Sequence, residues 1–133
     1  MIGVILLGHG EFSQGVASAM ELIIGKQEYF KFHNFLQDMS QDDLLDCAKK
    51  SIEELKDCEH IVLVTDIAGG TPYKVSIMLS FESEKINVIS GANLPLLVSL
   101  LLNRESFNSV NDLIEAGLSD AIQGLNKFSK ENI

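Results

Sequence analysis

Short apolar runs alternate with helix-length amphipathic segments along this chain, and that alternation limits its fold more than any other feature. Gly3–Leu7 reads as a buried strand. Phe12, Val16, Ala19, Met20, Ile23 and Ile24 then follow helical spacing until Gly25 stops the helix. Tyr29–Leu36 reads as a second strand with Phe30, Phe32 and Asn34 on one face. Ser40 caps a helix reaching about Leu55, and Asp43 gives it a capping-box start. The stripe of that helix is Leu44, Leu45, Ala48, Ile52 and Leu55. His60–Thr65 is the third strand, followed by a helix carrying Val75, Met78 and Leu79. Lys85–Ser90 is the fourth strand, and Gly91–Pro95 leads into an apolar helix ending near Leu102. Asn103–Ser109 reads as a polar loop. A last helix over Val110–Phe128 places Leu113, Ile114, Leu118, Ala121, Ile122 and Leu125 in its stripe, and the tail Ser129–Ile133 is expected to fray.

The order β-α-β-α-β-α-β-α implies one α/β domain over residues 1–133, with a parallel sheet, helices on both faces and right-handed crossovers. If the open sheet is flavodoxin-like, with strand order 2-1-3-4, strands one and three are neighbours and the switch point lies between them. Ligands of such folds bind at that crevice, outside the carboxyl ends of the strands.

Composition excludes several functions. Ten basic against nineteen acidic residues give a net charge of −9, a poor match for nucleic acid and a better one for a partner with a basic face. No apolar run reaches the roughly 20 residues of a membrane-spanning helix. The opening Met1–Leu7 lacks a basic segment and a cleavage site, so a cytoplasmic location is expected. Cys47 and Cys58 lack CxxC spacing and read as ordinary core or surface thiols.

Three loops fall on one edge of the predicted sheet. The first strand ends in Gly8-His9-Gly10, the third in Asp66 followed by Ile67-Ala-Gly-Gly-Thr-Pro72, and the fourth in Gly91–Pro95. A histidine after a strand is, taken alone, as readily a turn residue as a functional one. Across a switch point, however, His9 would face Asp66. A carboxylate that accepts Nδ1–H fixes the imidazole tautomer and leaves the Nε2 lone pair free. Gly69 and Gly70 permit close backbone approach, and Thr71 and Pro72 read as N-cap and first residue of a helix. A helix amino terminus there is an anion site suited to a phosphoryl group. A nucleophilic imidazole beside an anion cradle, without metal-ligand spacing, points to phosphohistidine chemistry with no cofactor. His33, inside strand two, and His60, at the far end of strand three, read as structural histidines, and Lys74 as a solvated helix residue.

The segments Gly8-His-Gly-Glu-Phe-Ser-Gln-Gly15, Thr65-Asp-Ile-Ala-Gly-Gly-Thr-Pro-Tyr73 and Val88-Ile-Ser-Gly-Ala-Asn-Leu-Pro95 resemble, in order and spacing, three signatures of one family. It is the mannose-family enzyme IIA domain of the bacterial phosphoenolpyruvate-dependent sugar phosphotransferase system. The resemblance covers nearly the whole chain. It implies that His9 accepts a phosphoryl group on Nε2 from the carrier HPr and passes it to an enzyme IIB, with Asp66 as the orienting carboxylate. Thr71 matches the hydroxyl position that would bond the phosphoryl oxygens. It also implies membrane IIC and IID components downstream, and a homodimer exchanging an antiparallel C-terminal strand that no segment here identifies. Some members carry a fused IIB domain. This chain stops soon after its last helix, so IIB is expected as a separate protein.

Rival readings fit less well. The phosphotransferase subunit of dihydroxyacetone kinase shares the fold and the histidine, but typically has serine after the histidine and lacks the Gly-Gly-Thr-Pro pattern. A response-regulator receiver needs an acidic pair after strand one to hold Mg²⁺, where this chain has Gly8-His9-Gly10. A flavodoxin needs a hydroxyl-rich phosphate loop there. A histidine phosphatase would have arginine before the histidine, where Gly8 stands. A regulatory sensor of phosphorylation state stays open as an alternative to a transport component. The transported sugar is not written in a domain that never touches it.

Overall fold

The computed structural model describes residues 1–132. Four parallel strands, β1 (Ile2–His9), β2 (Phe30–Phe35), β3 (His60–Thr65) and β4 (Ile86–Ile89), form one sheet in the order β2-β1-β3-β4. Five helices connect and cover them: α1 (Phe12–Ile24), α2 (Gln41–Glu54), α3 (Gly70–Ser80), α4 (Leu94–Asn103) and α5 (Val110–Gln123). The expected α/β architecture and strand order are present.

The two-residue period of β1 splits the core in two. Ile2, Val4 and Leu6 join Val62 and Val64 under α1, α4 and α5. Ile5 and Leu7 join Ile61 and Leu63 under α2 and α3, where Leu44, Ala48, Val75 and Leu79 close the layer. Central strands buried on both faces read as continuous apolar runs, and this is why β1 and β3 stand out in the sequence. The same period puts His9 on the α2–α3 side and Gly8 on the α1 side. A Cβ at Gly8 would lie 2.6 Å from Phe12 Cδ2, so only glycine lets α1 fold back directly beneath the strand end.

Ser40 caps α2 through a capping box with Asp43, as the sequence predicts. Several boundaries differ from expectation. β1 continues to His9, which is therefore the last residue of the strand. The N-cap of α3 is Gly69, not Thr71, and no side chain caps it, so Thr71 and Pro72 lie at the second and third helical positions. Positive φ at Gly69 and Gly70 (84° and 78°) turns the chain into the helix two residues early. The last helix ends at Gln123 rather than Phe128. Ile122 and Leu125, assigned to its stripe, are exposed, so no core side rewards a further turn. Instead of a frayed tail, Lys130–Asn132 forms one 3-10 turn; Ile133 lies outside the described residues. Among the described residues the sheet has four strands, and no antiparallel strand borders β4. No helix among them is long and apolar enough to cross a membrane.

The stretch read as a polar loop holds a buried cation. Arg104 is 7% exposed and donates from Nη1 to the carbonyls of Ile2 and Tyr29 and from Nη2 to that of Glu28. It ties the amino ends of β1 and β2 to α4, at the pole opposite the strand carboxyl ends. Both cysteines are free, Cys47 exposed and Cys58 buried.

Candidate functional site

The end of β1 delivers His9 to the surface, with its side chain 44% exposed. The register of β1 and β3 (Leu7 opposite Thr65) brings Asp66, the residue after β3, alongside it. One oxygen of that carboxylate holds His9 twice. Asp66 Oδ2 accepts from the His9 main-chain N–H at 2.9 Å and lies 2.8 Å from His9 Nδ1. Its other oxygen, Oδ1, accepts from the Ile67 N–H at 2.9 Å. Burial works against the Asp66 charge, but the hydrogen bonds from the His9 main chain and ring and from Ile67, with the charge of His9, hold its pKa below the ordinary carboxylate value. An ionised carboxylate only accepts, so this contact assigns the proton of a neutral ring to Nδ1 and the lone pair to Nε2.

Nε2 faces the start of α3. A Cβ built on Gly70 would lie 3.0 Å from Nε2 and 2.9 Å from Cε1, in contact with the ring. The backbone can approach only because residue 70 has no side chain. The N–H groups of Gly70 and Thr71 belong to the first turn of α3 and have no intrahelical acceptor. Pro72, at the next position, has none to offer. Thr71 is half-buried at this same helix start. On the other side, Phe35 stands opposite His9 in the β1–β2 register. Its ring meets the imidazole edge-on, with centroids 6.1 Å apart and planes at 75°. The Gly10 N–H bonds the Phe35 carbonyl at 2.8 Å.

The sequence-predicted residues His9, Asp66, Gly69, Gly70 and Thr71 therefore gather at one point, although Thr71 is not a cap. The Gly91–Pro95 loop lies beside them, with the Ala92 N–H bonded to the Thr65 carbonyl at 3.0 Å. His33 and His60 are elsewhere. His33 Nε2 is 2.6 Å from the buried Ser51 hydroxyl, and burial, the leading cause, lowers its pKa. Lys74 is exposed on α3. Phe35 escaped sequence reasoning, although the face opposite Phe30, Phe32 and Asn34 was the available signal. Among the described residues no three His, Cys, Asp or Glu side chains cluster closely enough to hold a metal. Three surface depressions lie away from His9: one between α1 and β2, lined by Met20, Phe30 and Phe32, and two around Met1 and Arg104. His9 lines none of these.

Comparison with known proteins identifies the family. The family model described as PTS system fructose IIA component matches residues 3–117. The crystal structure of phosphotransferase system component EIIA from Streptococcus agalactiae superposes with a TM-score of 0.89 at 37% identity, over 96% of this chain and 98% of that one. The fructose-specific EIIA component of Bacillus subtilis is 26% identical over 114 residues, 86% of this chain and 77% of the relative. The mannose-specific EIIAB component of Escherichia coli K12 is 22% identical over 124 residues, and those span 93% of this chain but only 38% of that longer protein. The chain belongs to the enzyme IIA family of the sugar phosphotransferase system, as a IIA component.

Proposed function

We propose that this protein is a phosphoryl carrier in which His9 Nε2 receives a phosphoryl group from the phosphohistidine of HPr and donates it to an enzyme IIB. The observation that carries this reading is the 2.8 Å contact between His9 Nδ1 and Asp66, which leaves Nε2 directed at the amino terminus of α3. In the forward step the Nε2 lone pair attacks phosphorus. An N–P bond forms at His9, and the donor's P–N bond breaks with its electron pair returning to the donor imidazole. The His9 ring then carries both the Nδ1 proton and the phosphoryl group and is cationic; the ionised Asp66 stabilises it. The phosphoryl oxygens receive the Gly70 and Thr71 N–H groups and the positive end of the α3 dipole, with the Thr71 hydroxyl as a further donor. In the second step a IIB nucleophile takes the phosphoryl group and returns the lone pair to Nε2.

The downstream IIC and IID membrane components are reached only through IIB, and a cytoplasmic location and a homodimer complete the reading. Leu125 and Phe128, 77% and 71% exposed past α5, supply apolar surface for a partner subunit, and analytical ultracentrifugation tests for that dimer.

Labelling tests the chemistry. Phosphoenolpyruvate, enzyme I and HPr are expected to phosphorylate the protein, giving an acid-labile, base-stable adduct absent from His9→Ala. A hydroxylamine-sensitive label retained in His9→Ala would move the acceptor to Asp66. Passage of the label to a cognate IIB is expected of a transport component; a protein that accepts phosphate and never passes it on is a sensor.

A further inference from the structure

We infer that Phe35 is a positioning residue for His9, fixing the plane of the imidazole so that Nε2 stays aimed at the α3 terminus; this rests on the phosphoryl-carrier reading. The hydrogen bond to Asp66 fixes one ring atom. The Cβ–Cγ bond and that hydrogen bond still let the ring plane tilt within the range of angles a hydrogen bond tolerates, and tilting moves Nε2 relative to Gly70. A second contact is needed to hold the plane, and Phe35 supplies it from the side opposite Asp66, edge-on at 6.1 Å between centroids. Phe35 is itself well anchored. Its main chain is paired with β1 through the register His9↔Phe35 and through the Gly10 N–H, and its side chain packs against the core layer of Ile5, Leu7 and Leu44. The imidazole thus has a carboxylate on one side, an aromatic edge on another and the Gly70 main chain above Nε2. The phenyl ring has no atom that can carry a proton or bond a phosphoryl oxygen, so its contribution is to orientation alone.

The test compares Phe35→Leu, which keeps apolar volume and loses the ring, with Phe35→Tyr, which keeps it. Phe35→Met replaces the leucine variant if that one does not fold. The first readout is the ¹⁵N–¹H correlation spectrum of the His9 ring in the unphosphorylated protein, which needs no phosphoryl donor. The second is the single-turnover rate of phosphoryl acceptance from phospho-HPr. We expect averaged or broadened His9 ring signals and about tenfold slower acceptance in Phe35→Leu, with Phe35→Tyr near the parent on both. Unchanged ring signals in Phe35→Leu overturn the inference whatever happens to the rate, because a rate loss would then lie in partner docking. Equal losses in the tyrosine variant also overturn it. If the parent protein accepts no phosphate at all, the carrier reading fails, while the ring spectrum still decides whether Phe35 holds the imidazole.

Discussion

Gly70 and Asp66 act on opposite nitrogens of one ring, so substituting them separates access from orientation. Gly70→Ala would place a methyl group 3.0 Å from Nε2 at a backbone φ of 78°. The left-handed conformation costs a non-glycine residue on the order of 1–3 kcal/mol. Displacement of the attacking nitrogen is expected to slow His9 labelling about 10²-fold. Rapid-quench labelling beside a urea titration measures both effects, and full-rate labelling in a folded Gly70→Ala protein would remove the argument from space. Asp66→Asn keeps the shape and loses the charge, and should slow acceptance without unfolding the domain. It also has a pH signature. The folded pKa of Asp66 lies below its unfolded value of about 3.9, so its charge contributes stability above that value and loses it as pH falls through the folded pKa. The stability gap between parent and Asp66→Asn is therefore expected to stay level down to about pH 5 and to narrow below it as pH falls through the folded pKa, as read by chemical denaturation at each pH. A constant gap would mean that the carboxylate is not held ionised by these bonds.

Helix ends divide what could be read in the sequence from what could not. The capping box of α2 is encoded by two side chains three residues apart and was legible. Ser40→Ala should cost about 1 kcal/mol, measurable as a lower urea midpoint at unchanged slope. The start of α3 was misplaced because Thr71-Pro72 carries the composition of a helix start, whereas two successive positive φ values at Gly69 and Gly70 set the real one. The Gly-Gly pair permits such dihedrals, but local propensity does not say that the helix starts there rather than at Thr71-Pro72. The end of α5 was overextended for a related reason. Ile122 and Leu125 continue the apolar spacing, but the face they would cover does not extend that far. By contrast, His60–Thr65 was bounded correctly because a strand buried on both faces writes its limits into an uninterrupted apolar run.

The two poles of the sheet carry different duties. The carboxyl pole holds the candidate site, and the amino pole is fastened by Arg104. Nothing in the polar string around residue 104 distinguishes a buried guanidinium from a solvated one, since its three carbonyl partners come from distant segments. Arg104→Met would leave the carbonyls of Ile2, Glu28 and Tyr29 without that donor and is expected to cost at least about 2 kcal/mol. His9 labelling at a temperature where the variant remains folded should match the parent; a slowed label there would show that the poles are coupled. The openness of His9 has its own consequence. With its side chain 44% exposed and outside the three depressions described above, His9 is met on open surface. An inhibitor that imitates the face of a protein, as a cyclic peptide or a small engineered domain can, suits so open a histidine, and its selectivity among related chains would come from the rim residues it covered.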